Sequence, residues 1–314
     1  MARAGARAYA GRMAEPVPTP PARGDTPAGF ALAVTVYVLW GFLPLYMKLL
    51  SQIPTVEVIA HRILWSVPIA GAVLLATRRT QALAEALRTP RMLGMGLLTA
   101  ALISVNWGIY VYAIQSGQTL DAALGYYINP LFSVALGAIV LRERLGRLQR
   151  LAIALALAAV AVMTWEAGRL PLIAVGLAVT WGFYALAKRS LPIGPNQGFM
   201  LEVLLLSPFA LGWILWAQAT GTGAFGGTAR DTWLLLGCGV VTAGPLILYA
   251  NAARRLRLST IGILQYIAPT MVFLIAVFVF GEPFGEAERI AFPMIWAALA
   301  LYSAGMLRGV RPAG

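Results

Sequence analysis

Tyr-Ile-Asn-Pro at residues 127–130 and Tyr-Ile-Ala-Pro at residues 266–269 decide the fold of this chain. Thirteen residues after its proline, each motif is followed by a glutamate, Glu143 in the first case and Glu282 in the second. The two copies are 139 residues apart. This spacing predicts that the second half of the chain repeats the first.

A second pair of motifs shows the same repeat near the start of each half. Trp-Gly-Phe at residues 40–42 precedes Lys48, and Trp-Gly-Phe at residues 181–183 precedes Lys188, at an offset of 140 to 141 residues. If each copy holds an odd number of membrane spans, the second copy lies upside down in the bilayer. That architecture is typical of secondary transporters.

The composition indicates a helical membrane protein. Hydrophobic residues make up 60% of the 314 residues and charged residues 11%, and the mean hydropathy is +0.76. A soluble domain carries about a quarter charged residues. A membrane β-barrel requires alternating apolar and polar positions, and residues 151–165 do not alternate. The net charge of +12 is better explained by membrane topology than by a nucleic-acid partner, so no nucleic acid is predicted.

A spanning helix needs about 20 mainly apolar residues, and the chain holds ten such segments. We predict a disordered basic cytoplasmic tail over 1–28, a first five-helix repeat over 29–166, a second over 167–307, and a carboxy-terminal cytoplasmic tail over 308–314. The predicted spans are 30–50, 57–76, 92–114, 119–141 and 148–166 in the first repeat, and 171–190, 197–217, 232–252, 258–280 and 289–307 in the second.

The distribution of positive charge predicts the orientation, because cytoplasmic segments are enriched in Lys and Arg. With both termini inside, 19 of the 24 Lys and Arg residues fall in cytoplasmic segments and only Arg169, Arg230 and Arg289 fall outside. Lys48 and Arg62 lie within helices. The glutamates of the repeated motif then face opposite sides of the membrane, as an inverted repeat requires.

Four prolines, Pro44, Pro130, Pro245 and Pro269, are predicted to kink membrane helices, since proline interrupts the backbone hydrogen bonds. Pro130 and Pro269 occupy equivalent repeat positions about 15 Å into their helices. Freed carbonyls at that depth are tolerated only against protein or a water-filled cavity. Proline is in any case commoner in membrane helices than in soluble ones. The functional interpretation therefore depends on Pro130 and Pro269 occupying equivalent positions of the repeat.

Aromatic and amide side chains are the candidates for lining a central substrate cavity. Tight helix packing is the competing interpretation of Trp40 and Trp181, since a glycine follows each, and tying helices together is the commoner role of intramembrane amides. The predicted cavity residues are Trp40, Tyr46, Arg62, Asn106, Tyr110, Tyr126, Tyr127, Asn129, Trp181, Tyr249, Gln265 and Tyr266.

Five ionisable residues are candidates for gates, because charges within a membrane usually pair or line an aqueous path. Lys48 and Glu57 have the alternative of snorkelling to the interface, and His61 lies one turn from Glu57. Arg62 is deeper and is expected to pair with a carboxylate or to reach into the cavity. Glu202 lies 140 residues after Arg62, so we predict an outer gate or substrate contact at Arg62 and an inner one at Glu202.

The sequence predicts no cofactor and no metal site, and no enzymatic activity. His61 and Cys238 are the single histidine and the single cysteine, and no phosphate-binding glycine loop ends in Lys-Ser or Lys-Thr. Transport would therefore use a gradient or exchange. A proton is a candidate coupling ion, for which Glu202, Glu57 and His61 are the available groups.

The stretches from Tyr37 to Lys48, from Glu57 to Ser66, from Gly125 to Leu131 and from Leu264 to Thr270 resemble RarD proteins of the EamA group, in the drug/metabolite transporter superfamily. The resemblance covers residues 29–307. It implies ten helices in two inverted five-helix repeats, an inner-membrane location and export of metabolites or drugs.

The leading functional prediction is a secondary transporter that exports a small-molecule substrate across the lipid bilayer. A non-transporting scaffold or receptor is the first alternative. An intramembrane hydrolase is the second, and it requires a nucleophile and base at one depth, for which His61 has no evident serine partner.

Overall fold

A computed structural model describes residues 25–140, 142, 145–168 and 170–309. Within these ranges ten helices are long and apolar enough to cross a membrane, which confirms the predicted fold class. Glu143 and most of the predicted terminal tails lie outside the described residues. The helices are α1 (Pro27–Leu49), α2 (Thr55–Ala76), α3 (Gln81–Arg88), α4 (Pro90–Gln115), α5 (Thr119–Val140), α6 (Arg147–Ala167), α7 (Leu172–Arg189), α8 (Pro195–Ala219), α9 (Ala229–Ala253), α10 (Leu258–Leu264), α11 (Ile267–Leu274, extended by π-helical turns over Ile275–Val279) and α12 (Glu286–Gly309).

The ninth span differs from its prediction as a single helix over 258–280. It breaks between α10 and α11 at Gln265 and Tyr266. Pro269 explains the break, because proline has no N–H to bond the carbonyl of Gln265 and its ring clashes with that carbonyl. The helices that contain Pro44, Pro130 and Pro245 continue through those residues.

Two features of the helices were not predicted. The short helix α3 buries Leu83 and Ala86 and exposes Gln81, Glu85 and Arg88, the pattern of an amphipathic segment between spans. Pro68 in α2 and Pro208 in α8 form a further proline pair, 140 residues apart. Applying the repeat offset of 140 residues to Pro68 would have predicted its counterpart Pro208.

The helices pack in the pattern that an inverted repeat predicts. Helix α5 packs on α7, and its counterparts α10 and α11 pack on α1; likewise α4 packs on α7, and its counterpart α9 packs on α1. Helices α6 and α12, the last of each repeat, pack on each other. A large departure from the symmetry is that α2 packs extensively on α9, whereas its counterpart, α8 on α4, packs much less.

With ten spans, both ends of the described chain lie on one side of the bundle. We call that side the terminal face; it holds the start of α1 and the end of α12. The other side, which holds the connections at residues 50–54 and 220–228, is the opposite face.

Candidate functional site

Arg62 lies buried where four helices meet. It is the eighth residue of α2, about 10 Å from the opposite-face end of that helix, and only 3% of it is exposed. Its Nε donates a hydrogen bond to Thr242 Oγ1 on α9 at 3.0 Å. Its Cζ lies 4.8 Å from the ring centre of Trp107 on α4, a cation–π geometry.

The predicted carboxylate partner of Arg62 is absent from the described part of the chain, where the one salt bridge found joins Lys188 to Glu202. The phenol groups of Tyr110 on α4, one turn after Trp107, and of Tyr126 on α5 lie within electrostatic range of the Arg62 guanidinium. The Tyr110 and Tyr126 rings lie 5.3 Å apart.

We call Arg62, Trp107, Tyr110, Tyr126 and Thr242 the central cluster. It draws on both repeats, and two of its polar atoms have no hydrogen-bond partner: Nη1 of Arg62 and the hydroxyl of Tyr110. Tyr110 is 1% exposed. Two unpartnered polar atoms at such depth are unusual, because buried polar groups are nearly always hydrogen-bonded.

Glu202 occupies the position equivalent to Arg62, and its charge is neutralised. Lys188 Nζ lies 2.6 Å from Glu202 Oε1, and the Tyr184 hydroxyl donates to Oε2 at 3.3 Å. Trp181 packs near Tyr184, with ring centres 5.7 Å apart. The predicted inner-gate residue therefore belongs to an ion pair within the second repeat, in the half of the bundle nearer the terminal face.

Glu57 fastens the 220–228 connection to α2 at the opposite face. Its Oε1 accepts hydrogen bonds from the backbone N–H groups of Ala224 at 2.8 Å and Phe225 at 3.3 Å. The Phe225 ring stacks on His61 at 4.9 Å, and Trp65 Nε1 donates to His61 Nδ1 at 2.9 Å. Because Glu57 is only 2% exposed, the snorkelling interpretation is wrong for it.

Lys48, the remaining predicted gate residue, is exposed, and its Nζ lies 5.3 Å from the Phe280 ring centre.

Tyr46, a predicted cavity residue on the same helix, already has a hydrogen-bond partner within the protein. Its hydroxyl donates to the carbonyl of Leu234 on α9, which adds a further link between the repeats near the opposite face.

Glu282, the end of the repeated motif, caps a helix of the other repeat. Its two carboxylate oxygens accept hydrogen bonds from the N–H groups of Thr119 and Leu120, both at 2.8 Å. These are first-turn donors of α5, which have no partner within the helix. The motif therefore joins the repeats at the opposite face, a role that the sequence spacing did not reveal.

The start of α10 is the equivalent position at the terminal face, and there the cap is Asp25. Asp25 Oδ1 accepts from the Arg257 N–H at 2.8 Å, and Oδ2 accepts from the Thr260 hydroxyl at 2.7 Å. The backbone hydrogen bond from Arg257 and the hydroxyl hydrogen bond from Thr260 lower the pKa of the Asp25 carboxyl, because they stabilise its charged form.

The other predicted cavity residues do not share one lining. Trp40 and Tyr249 pack together, with ring centres 5.6 Å apart. Tyr127 and Tyr266 line a separate cavity of about 400 Å³ between α5, α11 and α12. Trp181 lies beside the Glu202 ion pair. The predicted aromatics thus fall into distinct groups, and those of the central cluster surround Arg62.

Of the three predicted amides, Asn106 ties two helices together, as the packing alternative proposed, and Gln265 bonds within its own segment. Asn106 Nδ2 donates to the Leu177 carbonyl and to Thr180 Oγ1 on α7, at 3.1 and 2.8 Å. Gln265 Nε2 donates to the Gly262 carbonyl at 3.0 Å. Asn129 Oδ1 is buried with no hydrogen-bond partner.

The chain is similar to known transporters over nearly all of its length. Residues 27–165 match the EamA-like transporter family. An uncharacterized transporter of Vibrio cholerae is 39% identical over 292 residues, which cover 92% of this chain and 96% of the relative. Protein RarD of Escherichia coli is 37% identical over 279 residues, covering 88% and 94%. Protein RarD of Streptomyces exfoliatus is 40% identical over 291 residues, covering 92% of each.

A solved crystal structure of a protein 21% identical in sequence aligns with a TM-score of 0.57. It covers 90% of this chain and 99% of the other chain. At this level of identity the likeness bears on the fold alone, and it agrees with the ten-helix bundle.

Proposed function

Since the chain belongs to the RarD group of the EamA-like transporter family, and is thus a multi-pass membrane transporter, we propose that it exports small metabolites or drugs by alternating access. Its two repeats move against each other without ATP. The substrate binds near the middle of the membrane and is released at the far side when the repeats rock.

The unequal packing of two equivalent helix pairs carries this proposal. Helix α2 is packed closely on α9, down to contact between Gly239 and the backbone of Trp65, while the counterpart pair α8 and α4 is more loosely packed. In an inverted repeat, exchanging these two packings opens one face and closes the other. The described conformation is then the one closed at the opposite face.

Orientation follows from the charge count. The terminal face is proposed to be cytoplasmic, because its connecting segments carry Arg78, Arg79, Arg254, Arg255 and Arg257, and positive residues are retained inside. The opposite face is then periplasmic or external, and the membrane is the bacterial inner membrane. A substrate bound from the cytoplasm meets a bundle closed on its outer side, which suits an exporter.

Arg62 and Glu202 are proposed as functional residues at equivalent depths of the two repeats. Arg62 contributes the contact on the outer half, and the Lys188–Glu202 pair contributes the contact on the inner half. Glu202 is also the proposed carboxylate for proton coupling. Glu57 is the second candidate: its carboxylate is bonded to the Ala224 and Phe225 amides of a connecting segment, whereas the partner of Glu202 is the ionisable side chain of Lys188.

A reconstituted transport assay tests the proposal. Liposomes holding the purified protein are loaded with a bacterial metabolite extract, and efflux is followed by mass spectrometry with and without a pH gradient. We expect selective efflux of a few compounds, faster with a proton gradient directed inward.

Arg62→Ala and Glu202→Ala should both abolish this efflux at normal expression. Tyr112→Phe, at an exposed tyrosine of α4, is the matched control. Efflux no faster than from protein-free liposomes, for every compound of the extract, would contradict transport and favour the receptor or scaffold alternative. Wild-type rates in both charge variants would overturn the roles of Arg62 and Glu202.

A further inference from the structure

The charge of Arg62 is not neutralised by any described residue. A guanidinium remains protonated in proteins, and a buried charge in a membrane costs several kcal/mol unless it is paired or reaches water. Thr242 supplies one neutral hydrogen bond, and Trp107 supplies a cation–π contact. Both stabilise the cation, but neither cancels its charge.

The nearest carboxylate along α2 is Glu57, and it is directed elsewhere. Glu57 lies five positions before Arg62, which places the two side chains on different faces of the helix. Its Oε1 accepts hydrogen bonds from the 220–228 connection. The other groups that act on the Arg62 charge are neutral: the thiol of Cys238 on α9 and the phenols of Tyr110 and Tyr126.

The unpartnered atoms of the cluster are donors. Arg62 Nη1 carries two N–H bonds and the Tyr110 hydroxyl carries one. Arg62 is 3% exposed and Tyr110 is 1% exposed, so bulk water does not satisfy them. A ligand that completes this cluster must offer acceptor atoms and a negative charge.

Resting on the proposed function, we propose that the central cluster binds the carboxylate of the transported compound, and that the substrates are organic monoanions. Arg62 Nη1 and the Tyr110 hydroxyl donate to the two carboxylate oxygens, and the rings of Trp107 and Tyr126 contact the apolar part next to it. One uncompensated positive charge matches one negative charge, which favours a carboxylate over a doubly charged phosphate.

The second repeat supports this assignment by contrast. At the position equivalent to Arg62, Glu202 already has Lys188 at 2.6 Å and Tyr184 at 3.3 Å. That site is complete without a ligand. The central cluster is the incomplete one, and it lies between helices of both repeats, so a bound anion would bear on their relative movement.

Binding of matched acid and amide probes tests the inference. Purified protein in lipid nanodiscs is titrated at about pH 8.5, where a phosphonate is doubly charged, with phenylacetate, phenylacetamide, butyrate, butyramide and benzylphosphonate, and binding is followed by calorimetry. We expect each carboxylate to bind roughly tenfold or more tightly than its amide, the difference that a charge-assisted hydrogen bond makes. Equal binding of acid and amide in both pairs, or no binding of either acid, would overturn the inference. Tighter binding of benzylphosphonate than of phenylacetate would overturn the assignment to monoanions.

Two variants locate the binding. Arg62→Gln should remove the preference for carboxylate over amide. Tyr110→Phe removes a hydroxyl that has no partner, so the fold should be retained, and carboxylate affinity should fall about three- to tenfold with no change for the amide. Tyr112→Phe, two residues further along α4, is the control and should bind as wild type. A carboxylate preference that survives both Arg62→Gln and Tyr110→Phe would contradict the proposed site.

The outcomes separate this inference from the proposed function. Carboxylate-selective binding in a protein that moves no compound in liposomes would uphold the anion site and refute transport. Transport of only neutral or cationic compounds, with no preference between acid and amide, would uphold transport and refute the anion site.

Discussion

Glu202 and Arg62 occupy equivalent positions in the two repeats, yet only Glu202 has a counter-charge. Its carboxylate is 2% exposed and the Lys188 side chain is 22% exposed, so the pair lies largely away from water. A paired charge of this kind contributes little net stability, because desolvation offsets the attraction. Removing one partner alone is costly, since the other charge is left buried.

Lys188→Met should therefore destabilise the protein by about 2 to 3 kcal/mol, somewhat below the range for fully buried pairs because Lys188 is partly exposed. Adding Glu202→Gln should recover most of that loss, since the buried charge is then gone. Unfolding by SDS in mixed micelles measures both. A double variant no more stable than Lys188→Met would show that the lysine acts through packing and not through its charge.

Arg62 and Glu202 are each the eighth residue of their helices, an equivalence that the repeat offset in the sequence predicted. The sequence did not identify their partners. Thr242 is 180 residues from Arg62, and nothing local marks a threonine in a long apolar helix as the acceptor for an arginine. Lys188, which the sequence assigned to the Trp-Gly-Phe motif, lies at the end of α7 and reaches Glu202 in α8 across the short connection at residues 190–194.

Among the helices, the repeated motif contributes to the fold through Glu282, which caps α5. Its carboxylate satisfies two first-turn donors of α5 and lies favourably at the positive end of the helix dipole. Glu282→Ala should leave these donors unpaired at a cost of about 1.5 to 3 kcal/mol per charged hydrogen bond. Hydrogen exchange at residues 119–123 should then be at least roughly tenfold faster.

The matched control is Glu286→Ala, at an exposed glutamate in the first turn of α12. It should leave exchange in α5 unchanged. Equal exchange at 119–123 in the wild type and in Glu282→Ala would refute the capping role.

Asp25 gives the corresponding cap on α10 a defined pH dependence. The two hydrogen bonds lower the pKa of its carboxyl below the ordinary value of 3.8. A lowered pKa in the folded state means that the stabilisation is complete above the unfolded value and is lost only as the pH falls through the folded value. Between pH 5 and pH 8 the cap should therefore contribute a constant amount.

The test compares hydrogen exchange at residues 257–261 in the wild type and in Asp25→Ala at pH 5 and pH 8, after correction for the intrinsic exchange rate. We expect the same protection difference at both values. A difference that shrinks markedly at pH 5 would mean that the Asp25 carboxyl titrates above its ordinary range, contrary to its contacts.

The helices were more predictable from the sequence than the segments that connect them. Ten apolar runs and their boundaries follow from the thickness of the bilayer, and Pro269 marks the break between α10 and α11 by a local steric rule. No comparable local rule predicts the contacts of the 220–228 connection. Its backbone donors are satisfied by Glu57, 167 residues earlier in the chain, and only the folded bundle brings the two together.

Across the whole molecule, links between the repeats accumulate at the opposite face. Glu282 caps α5, Glu57 holds the 220–228 connection, and Tyr46 bonds the Leu234 carbonyl. At the terminal face the described inter-repeat links are those of Asp25 and Thr26 to the segment before α10. Opening the opposite face thus requires several partly buried polar contacts to break together, which makes its opening a cooperative, two-state change.

A crosslink at the opposite face tests this two-state behaviour. Gln52 Nε2 donates to Asp231 Oδ1 at 2.8 Å; Gln52 is exposed and Asp231 is half-buried. Gln52→Cys together with Asp231→Cys, bridged by a short, reducible, thiol-specific crosslinker, should hold that face closed and reduce efflux by roughly tenfold or more, because the outward-open state is removed from the equilibrium. The single native cysteine, Cys238, is buried, so each single variant treated in the same way is a clean control. Reduction should restore transport, and efflux that continues unchanged across the bridged face would contradict alternating access.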